Sequence, residues 1–327
     1  MAKVGCAGIL VADTFCGPMK ELPPEGHLTA IDDMPTRVGG CAANVAIDLV
    51  KQGLAVEVLG CLGQDVSATV VRSSLAEAGL GCDQLVTTAD YPTSRTVILL
   101  VEGQDRRFIH VFGANRALSA EHLRKEWLAG LDAFYLGGLF AMPGIQPEAL
   151  RPVFQFCREQ GVITIVDVVI PHDAQVAAAA QSLLPWIDYF LPNDDEARII
   201  TGEQEPAAQL RRLLACGAGT VVITLGGQGS LCGRGDRYWQ AGAYAVDVVD
   251  PSGAGDAFAA GVVAGVVQKW DMPQVLRYAS ALGASAARAV GTTTSVFTLQ
   301  EALAFIEHQP LAVATGKLER QGTRSKG

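Results

Sequence analysis

The run Val248-Val249-Asp250-Pro251-Ser252-Gly253-Ala254-Gly255-Asp256-Ala257-Phe258 joins a strand-like piece, a Gly-Ala-Gly turn and a helix opening at Asp256. The first N–H groups of a helix have no partner within it, and the helix dipole favours negative charge there. Two glycines remove the side chains that would bar a close approach. Gly253, Ala254 and Gly255 could therefore cradle an anion, with the Asp256 carboxylate beside it. Such a pairing suits phosphoryl transfer: amides stabilise the transferring group, and the carboxylate takes the proton of an attacking hydroxyl. The same residues also read as an ordinary glycine turn followed by an aspartate cap.

Two further constellations offer chemistry. In Val38-Gly39-Gly40-Cys41-Ala42-Ala43-Asn44 a glycine pair enters a helix of small residues, with Asn44 one turn in. Small residues admit a ligand or a neighbouring backbone, and an asparagine side chain both donates to and accepts from hydroxyls. Tight helix–sheet packing around a polar core residue gives the same pattern. In Pro192-Asn193-Asp194-Asp195-Glu196, an amide and three carboxylates follow the strand Tyr189 to Leu191. They could hold a hydrated Mg²⁺, which takes oxygen ligands and keeps its waters, or simply complement a helix dipole. Weaker signals are Asp13 after the first strand and the turn Leu225-Gly226-Gly227-Gln228-Gly229. The chain has three asparagines, at 44, 115 and 193, and two of them fall inside these constellations. P-loop, dinucleotide and nucleophile-elbow signatures are absent.

The elements that must position these groups follow from periodicity. Short apolar runs at Val4 to Val11, Val56 to Leu59, Phe134 to Leu136, Ile163 to Val166, Tyr189 to Leu191 and Val221 to Leu225 read as strands. Helical spacing recurs between them at Ala42 to Val50, Ser67 to Ala78, Pro147 to Gln160, Ala174 to Leu184 and Ala207 to Cys216. This alternation predicts βαβ units and a parallel sheet covered on both faces. Asp256 to Gln268, Pro273 to Arg288 and Leu299 to Glu307 read as three helices with little strand between them. Tyr91 to Val101 and Arg107 to Phe112 break the alternation as a hairpin. With Thr14 to Val38 it could stand off as a small sheet. Lys317, Arg320, Arg324 and Lys326, among Gly, Thr and Ser after Pro310, read as a mobile end.

Composition bounds the function. The 327 residues are 49% hydrophobic and 18% charged, enough for a large core. A net charge of −9 argues against a general binder of nucleic acid or anionic membranes. No apolar run is long enough to span a membrane. The first residues lack the pattern of a signal peptide, and the eight scattered cysteines read as reduced thiols, so a cytoplasmic location is expected.

Taken together and in this order, Gly39-Gly40-Cys41-Ala42-Ala43-Asn44, Asn193-x-x-Glu196 and Asp250-Pro251-Ser252-Gly253-Ala254-Gly255-Asp256 resemble the signatures of the ribokinase, or PfkB, family of ATP-dependent carbohydrate kinases. The likeness covers roughly residues 3 to 308. It implies a three-layer α/β/α fold with a mainly parallel central sheet and a small β lid. The kinase domain would be residues 1–309, with lid segments at about 14–38 and 91–113 and a flexible tail at 310–327. The resemblance also implies roles. Asp256 would be the base, and Gly253, Ala254 and Gly255 the anion hole. Asp13, Gly39, Gly40, Asn44 and Asn115 would contact the sugar. Asn193 and Glu196 would organise Mg²⁺ through water, and Thr224, Gly226 and Gly229 would lie along ATP. A small-residue helix around Ala279 and Gly283 would flank the adenine. Asp250 matches an aspartate used near a monovalent cation, often K⁺. Many members form homodimers by pairing lids. Cys41 departs from the residue common at its position, and Asp-Pro-Ser replaces the more usual Asp-Thr-Thr. A nucleoside acceptor, with Phe15, Tyr91, Phe108 and Phe112 as stacking surfaces, and a phosphorylated sugar reached by Arg95 and Arg107 are the competing acceptors. A catalytically idle sensor on the same fold is the alternative from another class.

Overall fold

The computed structural model describes residues 2–104, 106–171 and 175–318. Ala174, Arg320, Arg324 and Lys326, named above, lie outside the described residues, as does residue 105 of the lid segment. The strands are β1 (Lys3–Gly8), β2 (Val11–Met19), β3 (Thr36–Gly39), β4 (Ala55–Leu59), β5 (Cys61–Leu62), β6 (Val86–Thr87), β7 (Arg95–Val101), β8 (Arg107–Val111), β9 (Ala133–Leu139), β10 (Ile163–Val168), β11 (Tyr189–Leu191), β12 (Thr220–Thr224), β13 (Ser230–Arg234), β14 (Arg237–Ala241) and β15 (Val313–Lys317). The helices are α1 (Cys41–Lys51), α2 (Val66–Glu77), α3 (Lys125–Leu128), α4 (Pro147–Gln160), α5 (Ala177–Leu183), α6 (Asp194–Thr201), α7 (Pro206–Ala215), α8 (Ala254–Val267), α9 (Met272–Ala286) and α10 (Leu299–His308).

The central sheet runs β15-β14-β13-β12-β11-β10-β9-β1-β4. From β4 to β12 every neighbouring pair is parallel. Its strands read as unbroken apolar runs because helices cover both faces. One apolar cluster joins the sheet to α1, α2 and α8–α10, and a second joins it to α3–α7. The fold is thus the expected three-layer α/β/α arrangement. Among the described residues, no helix is long and apolar enough to cross a membrane.

The lid is a separate sheet in the order β3-β2-β7-β8. The apolar run Val4 to Val11, read as one strand, divides between the two sheets. β1 ends at Gly8, where a side chain would strike the carbonyl of Gly137 at 2.0 Å. β2 then leaves toward the lid, pairing with β3 and β7. A second correction concerns the far edge. β13, β14 and β15 extend the sheet antiparallel, so residues 313–317 form a strand rather than a mobile end. Edge strands carry polar residues on their solvated side, and composition alone reads them as loop.

Helix α8 carries the Gly253–Gly255 turn at its start, and ten of its residues are buried. It packs so closely on α9 that a side chain at Gly261 would lie 2.5 Å from the Cα of Ala279. Small residues on both helices allow that approach, which anchors the turn to the core.

Candidate active site

The site lies at the carboxyl ends of the parallel strands, where open α/β sheets bind ligands. Gly253 caps α8 with φ 78°. A Cβ there would lie 2.1 Å from the carbonyl of Thr292, so backbone geometry demands this glycine. At Gly255 the space where a Cβ would point is open. Its absent side chain leaves room for a ligand rather than for the protein.

Asp256 sits on the first turn of α8. Asn44 Nδ2 donates to Asp256 Oδ2 at 2.7 Å, and Thr292 Oγ1 donates to Asn44 Oδ1 at 2.8 Å. This chain fixes which end of the amide faces the carboxylate. Burial raises the pKa of Asp256, and hydrogen bonds from Asn44 and Cys41 oppose the shift. Asn44, expected to hold substrate, thus also positions the proposed base. Burial pushes the Cys41 thiol well above its ordinary range, so the departure at this position places an inert thiol beside Asp256.

On the lid side Asp13 is 7% exposed, and burial lifts it to about 6, with a hydrogen bond from Thr96 working against the rise. A Cβ at Gly39 would lie 1.8 Å from Asp13 Oδ2, so Gly39 makes room for this carboxylate. Gly40 begins α1 at φ 91°. Asp13, Gly40, Asn44 and Asp256 line a cavity of about 610 Å³ roofed by Thr96, Arg106, Phe108, His110 and Phe112 of the lid.

Asn115 also borders this cavity, but both ends of its amide hold the backbone of Leu10. Leu10 N donates to Oδ1 at 3.1 Å, and Nδ2 donates to Leu10 O at 3.0 Å. It staples the β1–β2 crossing, and its second N–H and second oxygen lone pair remain for the cavity it borders. Of the aromatics weighed above, Phe15 is 1% exposed and fills the lid core. Tyr91 stacks on Arg116, and only Phe108 and Phe112 of the four reach the cavity. Neither Arg95 nor Arg107 lines it. Arg107 Nη2 instead donates to Gln104.

A smaller cavity of about 190 Å³ adjoins the first, lined by Asp167, Asn193, Glu196, Thr224, Gly253, Gly255 and Asp256. Asn193 and Glu196 form a reciprocal capping box. Glu196 N donates to Asn193 Oδ1 at 2.8 Å, and Asn193 N donates to Glu196 Oε2 at 2.9 Å. Burial raises Glu196 to about 7, helped by Asp195, Asp194 and Asp256. Asp167, which sequence reasoning missed, stands at the end of β10 and accepts from Tyr135 Oη at 3.0 Å. Burial and then its neighbours Glu196 and Asp256 raise it well above the carboxylate range. Ligand atoms of Cys41, Asp167 and Asp256 lie within 4.8 Å of one another. Carboxylates that hinder one another's ionisation are the setting a divalent cation relieves; the oxygens of Asp167 and Glu196 fit Mg²⁺, whereas the Cys41 thiol does not, since this ion takes oxygen ligands. Asp167 had no legible motif; its one signal is an aspartate closing an apolar strand.

Thr224 ends β12, and Gly226 and Gly229 lie in the turn to β13. A Cβ at Gly226 would meet open space, whereas one at Gly229 would strike the carbonyl of Ala241. Gly283 faces Ala254 and Phe258, and Gly261 faces Ala279. Helix packing by itself therefore asks for small residues at Ala279 and Gly283.

Asp250 is 3% exposed and precedes the turn. Its Oδ1 accepts from Ser252 N at 2.9 Å and Ser252 Oγ at 2.7 Å, and its Oδ2 from Gly291 N at 3.1 Å. Arg106, another residue the sequence reading passed over, reaches across from the lid. Its Nη1 donates to Ser252 Oγ at 2.5 Å and lies 3.4 Å from Asp250 Oδ1.

A doubly wound α/β sheet whose lid covers a carboxylate and a helix-terminus turn is an arrangement that suits phosphoryl transfer to small molecules. Comparison with known proteins makes this specific. The family model for pfkB family carbohydrate kinases matches residues 1–299, and the chain belongs to that family. It is 26% identical over 277 residues to ribokinase of Haemophilus influenzae, covering 83% of this chain and 87% of that one. Fructoselysine 6-kinase of Shigella flexneri is 30% identical over 256 residues, covering 75% and 88%. The structure of Arabidopsis thaliana ribokinase complexed with ribose and ATP superposes with a TM-score of 0.80 at 25% identity, covering 94% of this chain and 98% of that one.

Proposed function

We propose that this carbohydrate kinase moves the γ-phosphoryl group of MgATP to a hydroxyl, taken as a primary alcohol, of a small sugar in the lid-covered cavity. The observation that carries the reading is Asp256. It is held by Asn44 at 2.7 Å, opens onto that cavity, and stands three residues beyond Gly253 at the anion-binding start of α8.

In the step proposed, Asp256 takes the proton of the acceptor hydroxyl. The hydroxyl oxygen forms a bond to the γ-phosphorus, and the bond from that phosphorus to the bridging oxygen breaks, leaving its electrons on ADP. The N–H groups of the Gly253–Gly255 turn stabilise the charge on the transferring group. Asn44 keeps the carboxylate aimed. Asp13 holds acceptor hydroxyls, with Phe108 and Phe112 against the apolar face of the ring. Thr224, Gly226 and Gly229 border the nucleotide. Asp167 and Glu196, with Asn193, would hold Mg²⁺ through its waters. Bound there, the ion would neutralise charge on the phosphates. The lid keeps out water, which would otherwise compete as acceptor. The edge strand β8 leaves Ile109 and Val111 exposed on the face away from the cavity, which supports a homodimer through the lid.

The test is ADP release from MgATP across a panel of sugars, sugar acids, sugar phosphates and nucleosides, with Asp256→Asn as control. One strong acceptor among the sugars, silent in the variant, is the expected result. A nucleoside as the strong acceptor would replace the sugar reading, and ATP binding without turnover on any acceptor would favour a sensor.

A further inference from the structure

Asp250 is the residue at which family resemblance suggests a monovalent cation such as K⁺, and the donors around it do not fit one. A bound K⁺ needs a shell of several free oxygen ligands. The Asp250 carboxylate already accepts from Ser252 N, Ser252 Oγ and Gly291 N, and it carries the Arg106 guanidinium at 3.4 Å. The neighbouring loop is occupied in the same way. Arg37 Nη1 donates to Val290 O at 3.3 Å and to Thr294 Oγ1 at 2.8 Å, and Lys51 Nζ donates to the carbonyls of Thr293 and Val296. Protein cations thus already hold four oxygens of the loop whose Gly291 N–H meets Asp250.

We propose that Arg106, carried on the lid, supplies at Asp250 the positive charge that a monovalent cation would otherwise supply, so that turnover is independent of K⁺. The side chain of Asp250 is 2% exposed and that of Arg106 is 22% exposed. An aspartate so deeply buried is costly to leave unpaired. Arg106 Nη1 also holds Ser252 Oγ at 2.5 Å, one residue before the Gly253 cap. The lid turn and the anion cradle are therefore one hydrogen-bonded unit when the lid is down. Arg106 is a positioning residue: it acts on the cradle through Asp250 and Ser252. The inference rests on the cradle reading given above, but its consequence for cation binding can be read without turnover.

The experiment compares the wild type, Arg106→Ala and Arg106→Lys in KCl, NaCl and tetramethylammonium chloride at equal ionic strength. Both ADP release and thermal melting are followed. The wild type is expected to give the same rate and the same melting temperature in all three salts. Arg106→Ala should lose about 10- to 100-fold in rate in tetramethylammonium, the scale of a small misplacement of the catalytic groups. KCl should restore part of that loss and raise the variant's melting temperature, because the vacated carboxylate can then take the ion. Arg106→Lys should keep most of the rate in every salt. A wild type that is stimulated by K⁺, or stabilised by KCl over tetramethylammonium, would overturn the proposal. So would Arg106→Ala with full activity in tetramethylammonium. If no acceptor in the panel is turned over, the melting series still decides the cation question, separately from the phosphotransfer reading.

Discussion

On the floor of the acceptor cavity, Asn44 and Asp256 stand on α1 and α8, helices whose residues are almost all buried. Facing them, β8 leaves every one of its five residues exposed. The floor aims its groups through packing and a hydrogen-bond chain. The lid covers the acceptor with side chains that have few neighbours of their own. On the function proposed, chemistry common to a family is built on the floor, where geometry must be tight, while the choice of acceptor is expected to fall to residues whose replacement leaves the fold intact.

The sharpest way to break the comparison is Asp256→Asn. We expect turnover to fall about 10²- to 10⁴-fold with an unchanged melting temperature; a fall of less than tenfold would remove the base from the floor. The glycine turn separates fold from function within one motif. Gly255→Val should lose about 10²- to 10³-fold in activity and keep its stability, since its side chain would enter open space that the proposed mechanism gives to phosphate. Gly253→Ala should instead unfold at lower temperature, from strain at positive φ and a clash with Thr292. Equal stability of the two variants would refute that distinction. Across the cavity, Asp13→Asn should reduce kcat/KM for the acceptor by about 10- to 100-fold, mostly through KM, as expected for lost hydrogen bonds to a charged group. Affinity for ATP, measured by titration, should not move.

pH probes the same contrast. Burial raises Asp256, and the base must be ionised to act, so kcat/KM should climb with pH. The acid limb should lie above the ordinary aspartate range of about 3.9. Added Mg²⁺ favours the ionised carboxylates around it and should move the limb toward lower pH. A limb that ignores Mg²⁺ would separate Asp167 and Glu196 from the metal. The smallest effect belongs to Asp48, fully buried on α1 with neither carboxylate oxygen hydrogen-bonded. Burial raises its pKa well above normal, with Lys51 opposing. A raised folded-state value means stability is greatest at low pH and is lost as pH rises through that value. Asp48→Asn should flatten this decline in melting temperature above the ordinary carboxylate range. An unchanged profile would place the titrating group elsewhere.

Much of this protein was legible before folding. Period and spacing marked β11 and α4 to the residue and α1, α2 and α7 to within one or two, because buried strands and amphipathic helices write their burial into the order of residues. The glycine turn before Asp256, the acid-rich helix start from Asn193 to Glu196 and the off-pattern lid hairpin were legible for the same local reason. Tertiary structure alone decided the rest. The resemblance grouped Asn115 with substrate residues; that it also holds Leu10, 105 positions away, only the fold showed. Gly283 was placed beside a nucleotide by resemblance; that it also faces Ala254 and Phe258 of α8, only the packing of the two helices showed. Asp167 joined Asp256 and Glu196 only when β10 came to lie beside β11. Arg106 met Asp250 only when the lid folded back over a separation of 144 residues. Local order records which backbone a residue prefers and which face it buries. It does not record which distant charge will stand opposite, since that depends on how whole elements pack.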